Sequence, residues 1–112
     1  MKKFKIPMID QSIYFYSGES EFKPFKKKLL EHGYKEKDLE DMGIDSRGYA
    51  AGLALWVSDP KDTNTVLHEL AHVMQGMYSH LSCQKENEFQ AYISAWCYEA
   101  VLKHVGAISR GV

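Results

Sequence analysis

Between Asp62 and Gly76 the apolar residues Val66, Leu67, Leu70, Ala71, Val73 and Met74 recur at the spacing of a helix that buries one face. Asp62 or Thr63 supplies a capping oxygen at its start, and Gly76 supplies a stop near its end. The rest of the chain has to cover that face. His68, Glu69 and His72 stand on the same helix. Residues four apart lie one above the other on a helix surface, so the two imidazoles share a side, and Glu69 projects beside them.

With 112 residues the chain allows one domain, 1–112, large enough to bury a core without disulfides. A composition of 45% hydrophobic and 26% charged residues is that of a globular protein. The net charge of −1 exerts no global pull on nucleic acid or membrane. Charge is nevertheless uneven. Residues 1–28 hold seven Lys against three acids, and residues 29–48 hold six acids against three bases. The run Lys26-Lys27-Lys28 reads as a solvated helix face, so no nucleic-acid partner is expected. Pro7 and Asp10 interrupt the N-terminal stretch before any signal-like apolar segment, and no window has the length of a membrane span. Two cysteines, Cys83 and Cys97, make no disulfide framework, and a cytoplasmic location follows as the expectation.

Ser12 to Tyr16 alternates as a strand, with Ile13 and Phe15 on one face and Tyr14 and Tyr16 on the other. Phe22, Phe25 and Leu29 then recur at helical spacing, with Ser20 as N-cap, Pro24 in the first turn and Gly33 as the stop. The charged residues 34–42 hold a short helical turn. Small residues Gly48, Ala50, Ala51 and Gly52 lead into Leu53-Ala54-Leu55-Trp56-Val57, an apolar run of strand length closed by Ser58-Asp59-Pro60. After the His68 helix and a loop around Ser79–Cys83, a long helix runs from about Lys85 to Val105, with Phe89, Ile93, Trp96 and Ala100 as its apolar stripe. The order strand, helix, strand, helix, helix describes an α+β domain.

Two imidazoles on one helix face suit zinc, and a catalytic zinc site needs a third protein ligand with one position left for water. Glu86 and Glu88 open the following helix, from which a carboxylate can reach across an antiparallel turn. His80 is nearer in sequence, but a third histidine six residues after the second would fall at position 78, which is Tyr78. The order of preference is Glu88, Glu86, His80. Cys97 lies beside the apolar stripe and reads as a packed thiol.

The pentapeptide His68-Glu69-Leu70-Ala71-His72 and the downstream Asn87-Glu88-Phe89-Gln90-Ala91 resemble the zinc helix and the glutamate helix of the zincin metallopeptidases, in their glutamate-zincin branch. The length is similar to that of the single-domain minigluzincins and of small zincin-like bacteriophage proteins. Gly48–Asp59 resembles the edge strand that aligns extended substrate in zincins. The resemblance spans roughly residues 48–100. It implies a zincin-like domain with a small sheet, an edge strand beside the zinc helix, and a glutamate-bearing helix after it. It also implies one zinc per chain held by His68, His72 and Glu88. One departure stands out: many relatives carry an Asp four residues after the glutamate ligand, and Tyr92 occupies that place, leaving Tyr92 or an acid such as Glu99 to orient a zinc histidine.

The chemistry implied is peptide hydrolysis. Zinc lowers the pKa of its bound water to roughly 7, and Glu69 takes the proton and returns it to the leaving amine. Tyr78, Tyr92, Tyr98 and His80 are candidates to stabilise the oxyanion. An exposed edge at Leu53–Val57 would pair with a peptide main chain, so the expected partner is a polypeptide. A zinc hydrolase acting on another bond is one alternative, although the deformylase type needs a cysteine upstream of the helix. A non-catalytic zinc-binding regulatory protein is the other, and it has no use for Glu69. Nothing in the sequence addresses oligomeric state.

Overall fold

The computed structural model describes residues 1–7, 9–81 and 87–107, with the backbone alone at His80, Leu81, Asn87 and Phe89. Its elements are β1 (Lys2–Ile6), β2 (Gln11–Ser17), a 3-10 turn (Glu19–Glu21), α1 (Phe22–Glu31), α2 (Glu36–Leu39), β3 (Gly48–Ala51), β4 (Ala54–Val57), α3 (Thr63–Leu81) and α4 (Asn87–His104). The four strands form one sheet in the order β1-β2-β4-β3. β1 and β2 are antiparallel, β2 and β4 parallel, and β3 and β4 antiparallel. The domain is α+β, with helices against both faces of the sheet.

The alternation in β2 sorts its side chains as expected. Ile13 and Phe15 join Leu55 and Val57 under α3 and α4, where Val66, Leu70, Val73, Met74, Ile93, Cys97 and Val101 complete the larger core. Tyr16 joins Ala54 and Trp56 on the opposite face, where Phe22, Phe25 and Leu29 of α1 and Leu39 of α2 cover them. The buried indole of Trp56 donates to the Gly18 carbonyl at 2.8 Å, which ties the end of β4 to the turn after β2. On α4 the fully buried stripe is Ile93, Cys97 and Val101, with Trp96 and Ala100 at its margin. Cys97 is a packed thiol, and burial pushes its pKa up to about 12.

The apolar run Leu53–Val57 is not a sheet edge. Leu53 lies in the turn, and Ala54 to Val57 form an interior strand paired with β2 on one side and β3 on the other. The reason lies in the run itself. A strand that is apolar at every position must be covered on both faces, and such strands sit inside sheets. Here Leu55 and Val57 face α3 while Ala54 and Trp56 face α1, and all four are buried. The edge is β3, built from the small residues upstream, which turns into β4 through Gly52 and Leu53. Gly52 has φ +58°, the sign that tight two-residue hairpins need at their first central position.

Three local boundaries also differ from the sequence reading. Lys2–Ile6 is a strand, because Pro7 falls in the turn of the β1–β2 hairpin rather than inside a strand. Ser20 lies in the 3-10 turn, and Glu21 occupies the N-cap position of α1. Helix α3 runs through Gly76 to Leu81. A glycine inside a helix costs about 1 kcal/mol relative to alanine. Burying Met77 against the core gives about 2 kcal/mol, enough to carry the helix past it. Gly33, by contrast, ends α1 as expected, at φ +95°.

Candidate metal centre

Asp62 starts α3. Its carboxylate accepts from the Thr65 amide at 3.4 Å and the Thr65 hydroxyl at 2.6 Å, and the Arg47 guanidinium donates to it at 2.9 and 2.5 Å. The Thr65 hydroxyl, then Arg47, hold the Asp62 carboxyl below its ordinary pKa. This cap links the segment entering β3 to the first turn of α3. From there Thr65, Val66, Glu69, Leu70, Val73, Met74 and Met77 turn inward, while Asn64, His68, His72 and Gly76 form an outward line at four-residue spacing.

His68 and His72 bring their Nε2 atoms to 3.3 Å, with ring planes at 82°. Ligand atoms of His68, Glu69 and His72 all lie within 4.8 Å of one another. Two nitrogens about 2.0–2.1 Å from one tetrahedral ion stand about 3.3–3.4 Å apart. The imidazole pair therefore has the span that one ion requires, and the group can hold a metal.

Glu69 is 8% exposed, in contrast to the two exposed histidines. Burial raises its pKa, and the neighbouring His68 and His72 oppose that shift only in part. A carboxylate with a raised pKa is a stronger base than one in water. Its position depends on Gly48. A Cβ on Gly48 would lie 2.9 Å from Thr65 Cγ2, 3.0 Å from Glu69 Cγ and 3.0 Å from the Trp56 carbonyl oxygen. Only glycine lets the edge strand approach α3 so closely. Beside this contact lies a cleft of about 330 Å3, lined by Ser46, Arg47, Gly48, Asn64, Thr65, His68 and Glu69. Gly48→Ala is expected to lower stability by about 1–3 kcal/mol, the usual cost of forcing atoms into a packed site. Equilibrium unfolding in urea measures it, and an unchanged midpoint would contradict the close approach.

The other expected site residues lie elsewhere or only partly within the description. Glu88 is exposed in the first turn of α4 and is not part of the His68–Glu69–His72 group. Glu86 and Cys83 lie outside the described residues, as does the His80 side chain. The Tyr78 hydroxyl donates to the Gln90 carbonyl at 2.8 Å and also meets the Ser94 hydroxyl, so it fastens α3 to α4 and its proton is engaged. Tyr92 is 66% exposed. Glu99 pairs with Lys103 at 2.6 Å along α4 and does not brace a histidine. Tyr98 packs at the margin of the larger core. Sequence reasoning placed Gly48 in the cleft-edge strand but missed its close approach to Glu69, and it missed Thr65 and Arg47 as parts of the site. Gly48 had a signal, since a glycine in a strand marks a close backbone approach.

Compared with family models, with curated proteins and with solved structures, the chain matches none. Among the described residues, no helix is long and apolar enough to cross a membrane.

Proposed function

We propose that this chain is a zinc-dependent peptidase in which His68 and His72 hold the ion, Glu69 acts as the general base, and the edge strand β3 aligns an extended polypeptide. The observation that carries the reading is a buried carboxylate beside two imidazole nitrogens 3.3 Å apart, at an open cleft against the end of a sheet. Imidazole nitrogen with carboxylate oxygen is a donor set suited to zinc, and Glu88 is the third ligand that the resemblance to glutamate-zincins supplies. The Tyr78 bonds to Gln90 and Ser94 hold the early turns of α4, where Glu88 stands, against the end of α3. A bound zinc supplies Lewis acidity to a carbonyl oxygen and lowers the pKa of water.

Glu69 accepts a proton from the attacking water and delivers it to the departing amine. The close approach of Gly48 confines its stem, so that little reorientation is needed between the two transfers. Among the described residues, the outer edge of β3 carries main-chain groups with no strand partner, which favours an extended polypeptide over a compact small molecule. A cytoplasmic setting fits the two cysteines, of which Cys97 is buried as a free thiol.

The test is elemental analysis of the purified protein together with cleavage of an unfolded protein, before and after chelation. One zinc per chain and chelator-sensitive cleavage are expected. Glu88→Ala should weaken zinc retention in a competitive chelator titration more than Glu86→Ala or His80→Ala. Release by His80→Ala alone would remove Glu88 from the ligand set, and a zinc-loaded wild type that cleaves nothing would remove the peptidase reading.

A further inference from the structure

A second, larger cavity of about 580 Å3 opens where the β1–β2 and β3–β4 turns meet the end of α1 and the Gly76-Met77 turn of α3. This volume lies in the range of sites that take a ligand side chain or small molecule. Its wall is polarised. Lys28 Nζ stands 4.2 Å from the centre of the Tyr14 ring, and the His32 ring lies 6.4 Å from the same centre. Lys3 approaches that ring at 5.9 Å. The Tyr34 side chain also lines the cavity. Among the described residues, Lys28 is in no ion pair, and Asp10 is the one acid in the wall.

Gly76 lies in the wall of this cavity and on the same outward line of α3 as the two imidazoles. It follows His72 by four residues and His68 by eight, so it continues the same outward line of α3. Nothing lies within 4 Å of where its Cβ would be. Packing therefore does not require a glycine here, although glycine weakens the helix. Its effect is to leave the surface of α3 between His72 and the cavity bare of a side chain at this position. β3 spans the same interval: Gly48 lies against Glu69, and Ala51 lines the cavity. Three strand residues cover about 10 Å.

We infer that this cavity is a subsite for an acidic residue of an extended peptide, three or four positions from the bond held beside Glu69. The inference rests on the reading of the cleft as a peptide site, and it adds the charge class of the substrate. Lys28 supplies the positive charge, with His32 and the Tyr14 and Tyr34 hydroxyls as donors. The negative end of α1 and Asp10 favour a basic residue and oppose an acidic one, so the preference for an acid resides in Lys28.

The test is direct binding, read by fluorescence polarisation, of labelled unstructured peptides to the zinc-loaded Glu69→Gln protein. Glu, Gln or Lys is placed in turn at each position of an Ala/Ser host. At one window of positions Glu should bind about 10-fold more tightly than Gln, the effect of one charge-assisted hydrogen bond in a half-buried site. Lys28→Gln should remove the preference and Lys28→Glu should reverse it toward Lys. Gly76→Leu should weaken binding of every peptide while holding or raising the melting temperature, because leucine is the better helix former. Equal binding of the three series, no binding at all, or an acidic preference that survives Lys28→Glu would overturn the inference. Charge discrimination without cleavage by the wild type would uphold the subsite and remove the hydrolytic reading. Cleavage without charge discrimination would do the reverse.

Discussion

Glu69→Gln is expected to keep the zinc content and thermal midpoint of the wild type while lowering peptide hydrolysis by about 10²-fold or more. The amide fills the same space beside Gly48, so the close approach of the edge strand to the stem is retained. What it loses is the capacity to accept a proton. The neutral amide also avoids the cost of burying a charge, which is what raises the carboxyl pKa, so the variant should be no less stable than the wild type. Cleavage of a quenched peptide library, with a chelated wild-type sample alongside, measures the effect. A Gln variant that keeps most of the rate would show that another group is the base.

His68→Ala and His72→Ala should each lower zinc affinity by more than about 100-fold, a loss larger than the removal of a supporting hydrogen bond to a ligand causes. Both rings are exposed, so neither substitution opens a core cavity, and the metal-free proteins should fold. The consequence for stability is indirect. An ion at 1,000 times its Kd stabilises the folded state by about 4 kcal/mol, and that increment should vanish in both variants. Melting curves with and without added zinc separate the two contributions: the wild type should shift upward with zinc, and the variants should not. A full zinc complement in both variants would remove the proposed site. Equal behaviour of the two variants is itself informative, because the 3.3 Å pair predicts that the ion needs both nitrogens.

Helix α3 and the imidazole pair were legible in the chain because helical periodicity is a local property. Backbone geometry alone puts His68 and His72 on one side and Val66, Leu70 and Val73 on another, whatever the rest of the molecule does. The alternation of Ile13 to Tyr16, the glycine stop of α1 and the packed Cys97 were legible on the same grounds. The sheet edge was misread. Leu53–Val57 identified itself as a strand, and its apolar residues on both faces mark an interior one, but no local pattern states that residues 11–17 and 48–51 are the strands that flank it.

The sequence by itself determined the types of its main elements, the one-sided placement of the two histidines, and the glutamate beside them, because each depends on residues within about one helical turn. Tertiary structure decided the rest. It put Gly48–Ala51, not Leu53–Val57, at the sheet edge beside Glu69, since a strand apolar on both faces gains most by lying inside the sheet. It carried α3 past a glycine, since burying Met77 outweighs the helix penalty of Gly76. It also engaged Tyr78 with α4, and it gathered Tyr14, Lys28 and Gly76 around one cavity. These outcomes depend on segments tens of residues apart competing for the same buried surface, a competition that periodicity and spacing do not encode.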